Sequence, residues 1–190
     1  ALQVSADPRL NFLTGRSSAL ALTEPAPSDA TLDQLLAAAT AVPDHAGLRP
    51  FRFVIVQGEA RERFGQALAA VAEEQEGTLS EFARNKLVQK AYFAPCLVAL
   101  VSSPRVGVKV PTWEQEASAA CTGFALVLAA EAVGLGAVWK SAPVHEGRAL
   151  TELLGLAEQE RFLGWVNLGT HGRPTRPRAP EDLSRLVTRL

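Results

Sequence analysis

The sequence predicts an α+β fold in a single domain, residues 1–190, and three observations carry that prediction. Long helical stretches separate only a few strand-like runs, without the strict β-α-β-α alternation of a doubly wound sheet. One run, Cys96-Leu97-Val98-Ala99-Leu100-Val101, is apolar on both faces and reads as a central strand covered on both sides. The helix that follows Thr112 is apolar nearly all round from Ala117 onward. Such a helix is buried on every side, and in a chain this short a subunit interface is the natural cover for its outer face. Hydrophobic residues make up 47% of the 190, enough for a folded core.

Taken in order, Asp7-Pro8 starts a short helix through Leu10, Phe12 and Leu13, and Gly15 stops it. Thr31 and Gln34 have the spacing of a capping box, and Leu32, Leu35, Leu36 and Ala39 follow on one helical face until Pro43. Phe51 to Val56 is short, aromatic and β-branched, hence a strand. Glu59 to Gln75 is amphipathic, with Phe64, Leu68 and Val71 on one side, and Ser80 to Tyr92 predicts a further helix. Thr112 and Gln115 repeat the capping-box spacing ahead of the apolar helix, which ends at Gly134. Ala137-Val138-Trp139 predicts a short strand, Leu150 to Leu154 a short helix, and Phe162 to Leu168 a strand. Leu183 to Leu190 predicts a last helix or an exchanged tail.

Charge and composition narrow the function. With 19 Lys+Arg against 20 Asp+Glu the net charge is -1, which argues against a nucleic-acid partner. Cys96 and Cys121 are too few for a disulfide framework or a four-thiolate zinc site, and the three His show no ligand spacing, so no metal is expected. The longest apolar-dominated stretch, Ala117 to Ala130, is shorter than the ~20 residues a membrane span needs. No signal peptide is visible, and a reducing, cytoplasmic setting is expected. Gly134-Leu135-Gly136 follows a helix rather than a strand, so it is not a dinucleotide fingerprint, and there is no P-loop.

Four small groups of residues can carry chemistry, each with a plainer reading beside it. Arg16-Ser17-Ser18 offers a guanidinium and a hydroxyl for a phosphate, or else a solvated turn. In Pro43-Asp44-His45 the imidazole can stand at the rim of a pocket; alternatively Asp44 bonds its own backbone and His45 is simply exposed. Trp139-Lys140-Ser141 leaves a strand where backbone N–H groups can face a flat ligand and the lysine can neutralise an anionic ring; otherwise it is a core tryptophan and a solvated lysine. Arg173, Arg176 and Arg178 can bind a phosphate or form a solvated tail. Cys121 reads as packing, and a Cys121–His45 hydrolase has no supporting local motif.

The order of these pieces resembles the FMN-dependent nitroreductase family over nearly the whole chain. The resemblance is carried by Arg16-Ser17, Glu24-Pro25-Ala26-Pro27, Ala41-Val42-Pro43-Asp44-His45, Arg49-Pro50-Phe51-Arg52-Phe53 and Gly58 to Phe64. It continues through Lys109-Val110-Pro111-Thr112-Trp113-Glu114-Gln115-Glu116, Gly134 to Ser141 and Gly164 to Thr170. The resemblance implies a mixed, mostly antiparallel sheet flanked by helices, and an obligate homodimer with FMN sites shared between subunits. It implies that Arg16 and Ser17 meet the FMN phosphate, with Arg176 or Arg178 completing that site. Trp139, Lys140 and Ser141 would lie along the isoalloxazine, and His45 would reach the flavin of the partner subunit. The segment Ala129 to Gly134 would meet a nicotinamide cofactor, NADH or NADPH, and a nitroaromatic or quinone would be the oxidant in a ping-pong reaction with no obligatory acid or base side chain.

The chain departs from the family pattern at Gly15 and Ala41, where relatives carry arginines that bind FMN, and at Phe51 and Lys140, which replace a tryptophan and an arginine. Each lost charged hydrogen bond removes about 1.5–3 kcal/mol of phosphate affinity. The departures leave room for a non-catalytic flavin-binding or flavin-storage dimer of the same fold, or for a flavin-free interaction dimer.

Overall fold

The computed structural model describes residues 7–144, 146–175, 178–179 and 181–190. The elements run α1 (Pro8–Gly15), β1 (Leu22–Thr23), α2 (Asp29–Ala39), a 3-10 turn (His45–Gly47), β2 (Phe51–Gln57), α3 (Ala60–Glu76) and α4 (Glu81–Val88). A 3-10 turn (Gln89–Tyr92) leads into β3 (Cys96–Ser102), α5 (Thr112–Ala132), β4 (Gly136–Lys140), α6 (Arg148–Leu154) and β5 (Arg161–His171), and Leu183–Arg185 forms a last 3-10 turn. This is the α+β arrangement expected.

β5 is the strand that the others share. It pairs with β1, β3 and β4, and β3 pairs in turn with β2. Every strand pair among the described residues is antiparallel. All seven residues of β3 are buried, as the two-faced apolar run requires. On one face Leu97 and Ala99 join Trp165 and Phe162 of β5 and meet Phe64, Leu68 and Val71 of α3, with Leu150 and Leu154 of α6. The Phe64 ring stands edge-on to Trp165 at 5.2 Å. On the other face Cys96, Val98 and Leu100 join Val166 and Leu168 and meet Leu32 and Leu35 of α2 and Leu126 and Val127 of α5. Three layers result, and each fully buried Leu or Phe contributes about 1.5–3 kcal/mol. Asn167, fully buried in β5, is an exception: neither its amide nitrogen nor its oxygen has a hydrogen-bond partner among the described residues.

Several local expectations are corrected. α2 starts earlier than Thr31, because the extended Ser28 caps it and its Oγ accepts the Thr31 N–H at 3.2 Å. α5 begins at Thr112 without a side-chain cap. Gln115 is turned away into a buried position, accepting from Arg105 N at 2.8 Å and donating to the carbonyls of Arg105 and Val110. The helix expected over Ser80–Tyr92 is α-helical only to Val88 and then tightens. The Leu183–Leu190 segment forms one 3-10 turn with nothing buried. α5 has an outer face uncovered within the chain, as expected, with Trp113 and Phe124 71% and 50% exposed, but Cys121, read as packing, lies on that open face. α1 likewise has no buried residue, although it carries Leu10, Phe12 and Leu13.

Two glycines shape the surroundings of β4. Gly164 sits at φ +88°, where the β3–β5 register shifts, and a Cβ there would strike the Lys140 carbonyl. Gly123 lets α5 approach the sheet; a Cβ on it would lie 2.6 Å from Leu100 Cδ1 and 2.8 Å from the Trp139 ring. Gly123→Ala should therefore lower stability by about 1–3 kcal/mol through overpacking. Urea melts check this, and an unchanged midpoint would show that the helix can withdraw freely.

A forked ion pair closes the far end of the sheet. Arg52 of β2 donates to both carboxylate oxygens of Glu160, at 2.8 and 2.7 Å, and also to the carbonyls of Leu154 and Gly155 that end α6. These bonds, opposed by burial, hold the Glu160 carboxyl at about 2, below its ordinary 4.5. Because the folded value is depressed, the stabilisation is complete above about pH 4.5 and is lost as pH falls through about 2. Glu160→Gln should cost about 1–3 kcal/mol at neutral pH and flatten the acid limb of the stability profile below pH 4.5. Urea melts of both proteins across the acid-to-neutral range check this; parallel profiles would contradict it.

Candidate functional site

One corner of the fold gathers the segment after α1, the start of β4 and the end of β5. Arg16 leaves α1 with an extended backbone. Ala19 N then donates to the Ala137 carbonyl at 3.0 Å, and Gly172 N donates to the Ala21 carbonyl. Gly136 permits this close approach, since a Cβ there would clash with Leu22 and lie 3.1 Å from His171 Nδ1. Arg16 and Ser17 are half-buried at this corner, and their side chains make no hydrogen bond or ion pair with the described residues. They are a cation and a hydroxyl without a partner among those residues. Arg178 is exposed, 4.0 Å from Glu181, and Arg173 is exposed as well. Arg176 lies outside the described residues.

From that corner β4 runs inward with an open edge. The Ala137 carbonyl points away from β5, toward Ala19. Antiparallel alternation turns the N–H and C=O of Trp139 to the same side, beyond the point where Ala19 covers it. The side chains of Trp139 and Lys140 fall on opposite faces of the sheet, as consecutive strand residues must. The Trp139 indole lies against Gly123 of α5 and donates from Nε1 to the Leu163 carbonyl at 2.9 Å. The Lys140 ammonium lies 3.5 Å from the centroid of the Phe93 ring, and burial, with the nearby Lys90 charge, lowers its pKa. Ser141 is exposed just past the strand end. Its segment thus offers a flat ligand the Trp139 backbone and indole, while the Lys140 charge stands on the other face. Ala129–Gly134 forms the last turn of α5 and the bend into β4.

His45 stands elsewhere, in a loop held against the first two turns of α5. Asp44 does bond its own backbone, accepting from Leu48 N at 3.1 Å and Arg49 N at 2.8 Å. Ser118 donates to the Pro43 carbonyl, and Arg105 Nε donates to the Leu48 carbonyl at 3.4 Å. Ala46 and Arg49 sit at φ 62° and 48°, the left-handed region that non-glycine residues avoid. His45 Nδ1 lies 2.9 Å from Glu114 Oε1, and the imidazole remains 61% exposed. Ala41 is an exposed methyl in the turn after α2 and offers no polar contact.

The distance between these groups is set by α5. Its 21 residues make a rod of about 30 Å. His45 is bound to its N-terminal end, whereas Arg16 and Ser17 lie where β4 begins, past its C-terminal end. One chain therefore brings Arg16, Ser17 and Trp139 to one stretch of surface and holds His45 away from it. Glu114 and Ser118 are site-supporting residues that the sequence reading passed over. Their i, i+4 spacing puts both on one face of α5, the signal that would have found them. The Cys121–His45 pair is absent: Cys121 is seven residues along α5 from Glu114, on the open face, and makes no hydrogen bond with the described residues. The Cys96 thiol is buried in β3, which pushes it up to about 11. Among the described residues no group of three or more His, Cys, Asp or Glu is placed to hold a metal ion, and no helix is long and apolar enough to cross a membrane.

The same architecture occurs in known proteins. The chain is 36% identical over 165 residues to the Escherichia coli K12 protein named "Putative NAD(P)H nitroreductase YdjA", covering 85% of this chain and 87% of that one. The crystal structure of a nitroreductase-like family protein from Bacillus cereus superposes with a TM-score of 0.81 at 21% identity, over 100% of this chain and 99% of that one. A single-residue mutant of the FMN and NADPH-dependent nitroreductase NfnB from Sphigopyxis sp. strain HMH gives 0.73 at 17% identity, over 94% of this chain and 97% of that one. The profile of the Nitroreductase family matches residues 13–170, more than four-fifths of the sequence, and the chain belongs to that family.

Proposed function

We propose that the chain is an FMN-dependent oxidoreductase that works as a homodimer, taking a hydride from NADH or NADPH and passing it to a small oxidant such as a nitroaromatic or a quinone. The two substrates would alternate at one site. The observation that carries this reading is the open edge of β4, which leads from Arg16 and Ser17 to Trp139. A guanidinium and a hydroxyl without partners suit a phosphate, and exposed strand N–H and C=O groups beside an indole suit the polar rim of a flat ring. The residues present therefore fit FMN. Bound FMN would supply the two-electron chemistry, and the protein's part is position and electrostatics.

Arg16 and Ser17 would hold the phosphate. The N–H and C=O of Trp139 would face the edge of the ring, and its indole would close one side against α5. Arg178 is near enough in sequence to the end of β5 to add a charge at the phosphate corner. The chain's own contribution to the cation site is small, because Gly15 has no side chain and Ala41 only a methyl.

What the single chain leaves uncovered supports the dimer reading. α5 exposes Trp113, Cys121 and Phe124, and α1 exposes Leu10, Phe12 and Leu13. A two-fold axis crossing α5 near its middle would cover both surfaces. It would also carry His45 of the partner subunit from the far end of its own helix toward this chain's β4.

The test is an absorption spectrum of purified protein after FMN is added and the sample desalted, followed by NADH and then NADPH without air. Retained flavin that bleaches with either nucleotide is the expected result. Retained flavin that never bleaches would favour a flavin-holding dimer, and a colourless protein would overturn the reading. Arg16→Ala should weaken FMN binding about 10- to 100-fold, the loss of one or two charged hydrogen bonds. A titration of FMN fluorescence checks this, and an unchanged affinity would remove Arg16 from the phosphate site.

A further inference from the structure

The run Trp113-Glu114-Gln115-Glu116 opens α5, and its polar members are committed to three different places. Gln115 pins the 105–110 segment, Glu116 meets Arg161 at 3.1 Å, and Glu114 meets His45 at 2.9 Å. The backbone of the His45 loop does not need that last contact. Ser118 holds Pro43, Asp44 holds the amides of Leu48 and Arg49, and Arg105 holds the Leu48 carbonyl. Nor does packing need it, since the imidazole is 61% exposed and Glu114 35% exposed. An exposed pair of this kind contributes little to stability. What it does fix is the ring.

We propose that Glu114 is a positioning residue for His45: its carboxylate holds the imidazole with the proton on Nδ1 and so presents Nε2 outward to the ligand. An ionised carboxylate only accepts hydrogen bonds, so the ring nitrogen beside it must be the donor. In a neutral imidazole the other nitrogen is then an acceptor. Nε2 is free of hydrogen-bond partners among the described residues. The loop that carries it is held by several independent contacts and keeps two non-glycine residues in the left-handed region, a combination found at ligand sites. The ligand is an N–H or O–H donor at the rim of the bound flavin or of its substrate. That part rests on the reading that His45 serves the flavin site, whereas the orientation of the ring does not.

The experiment separates the two. Ring nitrogens of 15N-histidine-labelled protein are observed by NMR without FMN, in the wild type, Glu114→Gln and Glu114→Ala, with His45→Asn assigning the signal among the three histidines. Recorded at a pH where the ring is neutral, the expected wild-type spectrum shows the His45 proton on Nδ1. Glu114→Gln retains it, because the amide oxygen also accepts, and Glu114→Ala loses it while circular dichroism stays unchanged. FMN affinity should then fall about tenfold in Glu114→Ala, stay within about threefold of wild type in Glu114→Gln, and be insensitive to Glu114→Ala in a His45→Asn background. A wild-type signal with the proton on Nε2, or one that Glu114→Ala leaves unchanged, would overturn the proposal. So would an equal loss of affinity with and without His45. If wild-type protein binds no FMN, the flavin reading falls, and the NMR result still decides the role of Glu114.

Discussion

Everything in this fold is referred to β5. Its eleven residues pair with three other strands, and its two faces feed two separate cores, Trp165 and Phe162 toward α3 and α6, Val166 and Leu168 toward α2 and α5. The constraint this imposes is geometric. β4 must lie along β5 in register from Gly136 to Lys140, and the bulge at Gly164 decides where that pairing ends. The same strand delivers its C-terminal end beside Ala21, so the chain entry, β4 and the segment after β5 meet at one corner. The candidate site is a consequence of that meeting. It rests on a strand edge left open past Ala137 and on the Arg16 and Ser17 side chains, which have no partner among the described residues.

The second determinant is the length of α5. A helix of about 30 Å separates the Arg16 corner, which is tied to the start of β4, from the His45 loop, which is held at its N-terminal end. Its exposed apolar face and the exposed face of α1 are surfaces that the proposed homodimer would cover. The proposed homodimer would do two things at once. It would remove apolar side chains from water, about 25 cal/mol for each Å² buried, and it would complete the proposed site.

The layers were legible in the sequence because they rest on periodicity and burial. The all-apolar run at β3 is buried on both faces, and Phe64, Leu68 and Val71 line the inner side of α3, as their spacing predicts. What misled was chemistry that two residues could satisfy in more than one way. Thr31 and Gln34 look like a capping box, but Ser28 lies where the backbone is extended and caps first. Thr112 and Gln115 look the same, but the Gln115 amide satisfies three backbone groups of the preceding loop and is unavailable to the helix end. At Trp139-Lys140 neighbours in sequence stand on opposite faces of the sheet, and the backbone edge is what they share. The Asp44 turn was readable from local rules, whereas the Glu114 contact spans 69 residues, and the i, i+4 placement of Glu114 and Ser118 on α5 is its one trace in the sequence. Arg52 and Glu160, 108 residues apart, were hidden for the same reason.

The central claim is that Arg16 of one subunit and His45 of the partner subunit serve the same flavin. Mixed dimers test it most directly. Arg16→Ala and His45→Asn chains carrying different tags are co-expressed, the mixed species is isolated, and its flavin is measured after desalting. Shared sites place both substitutions in one site of the mixed dimer and leave the other intact, so it should retain about half the wild-type flavin, more than either parent variant. A mixed dimer that retains no more than the average of its parents would mean that each site draws on a single chain, and the shared site would have to be abandoned.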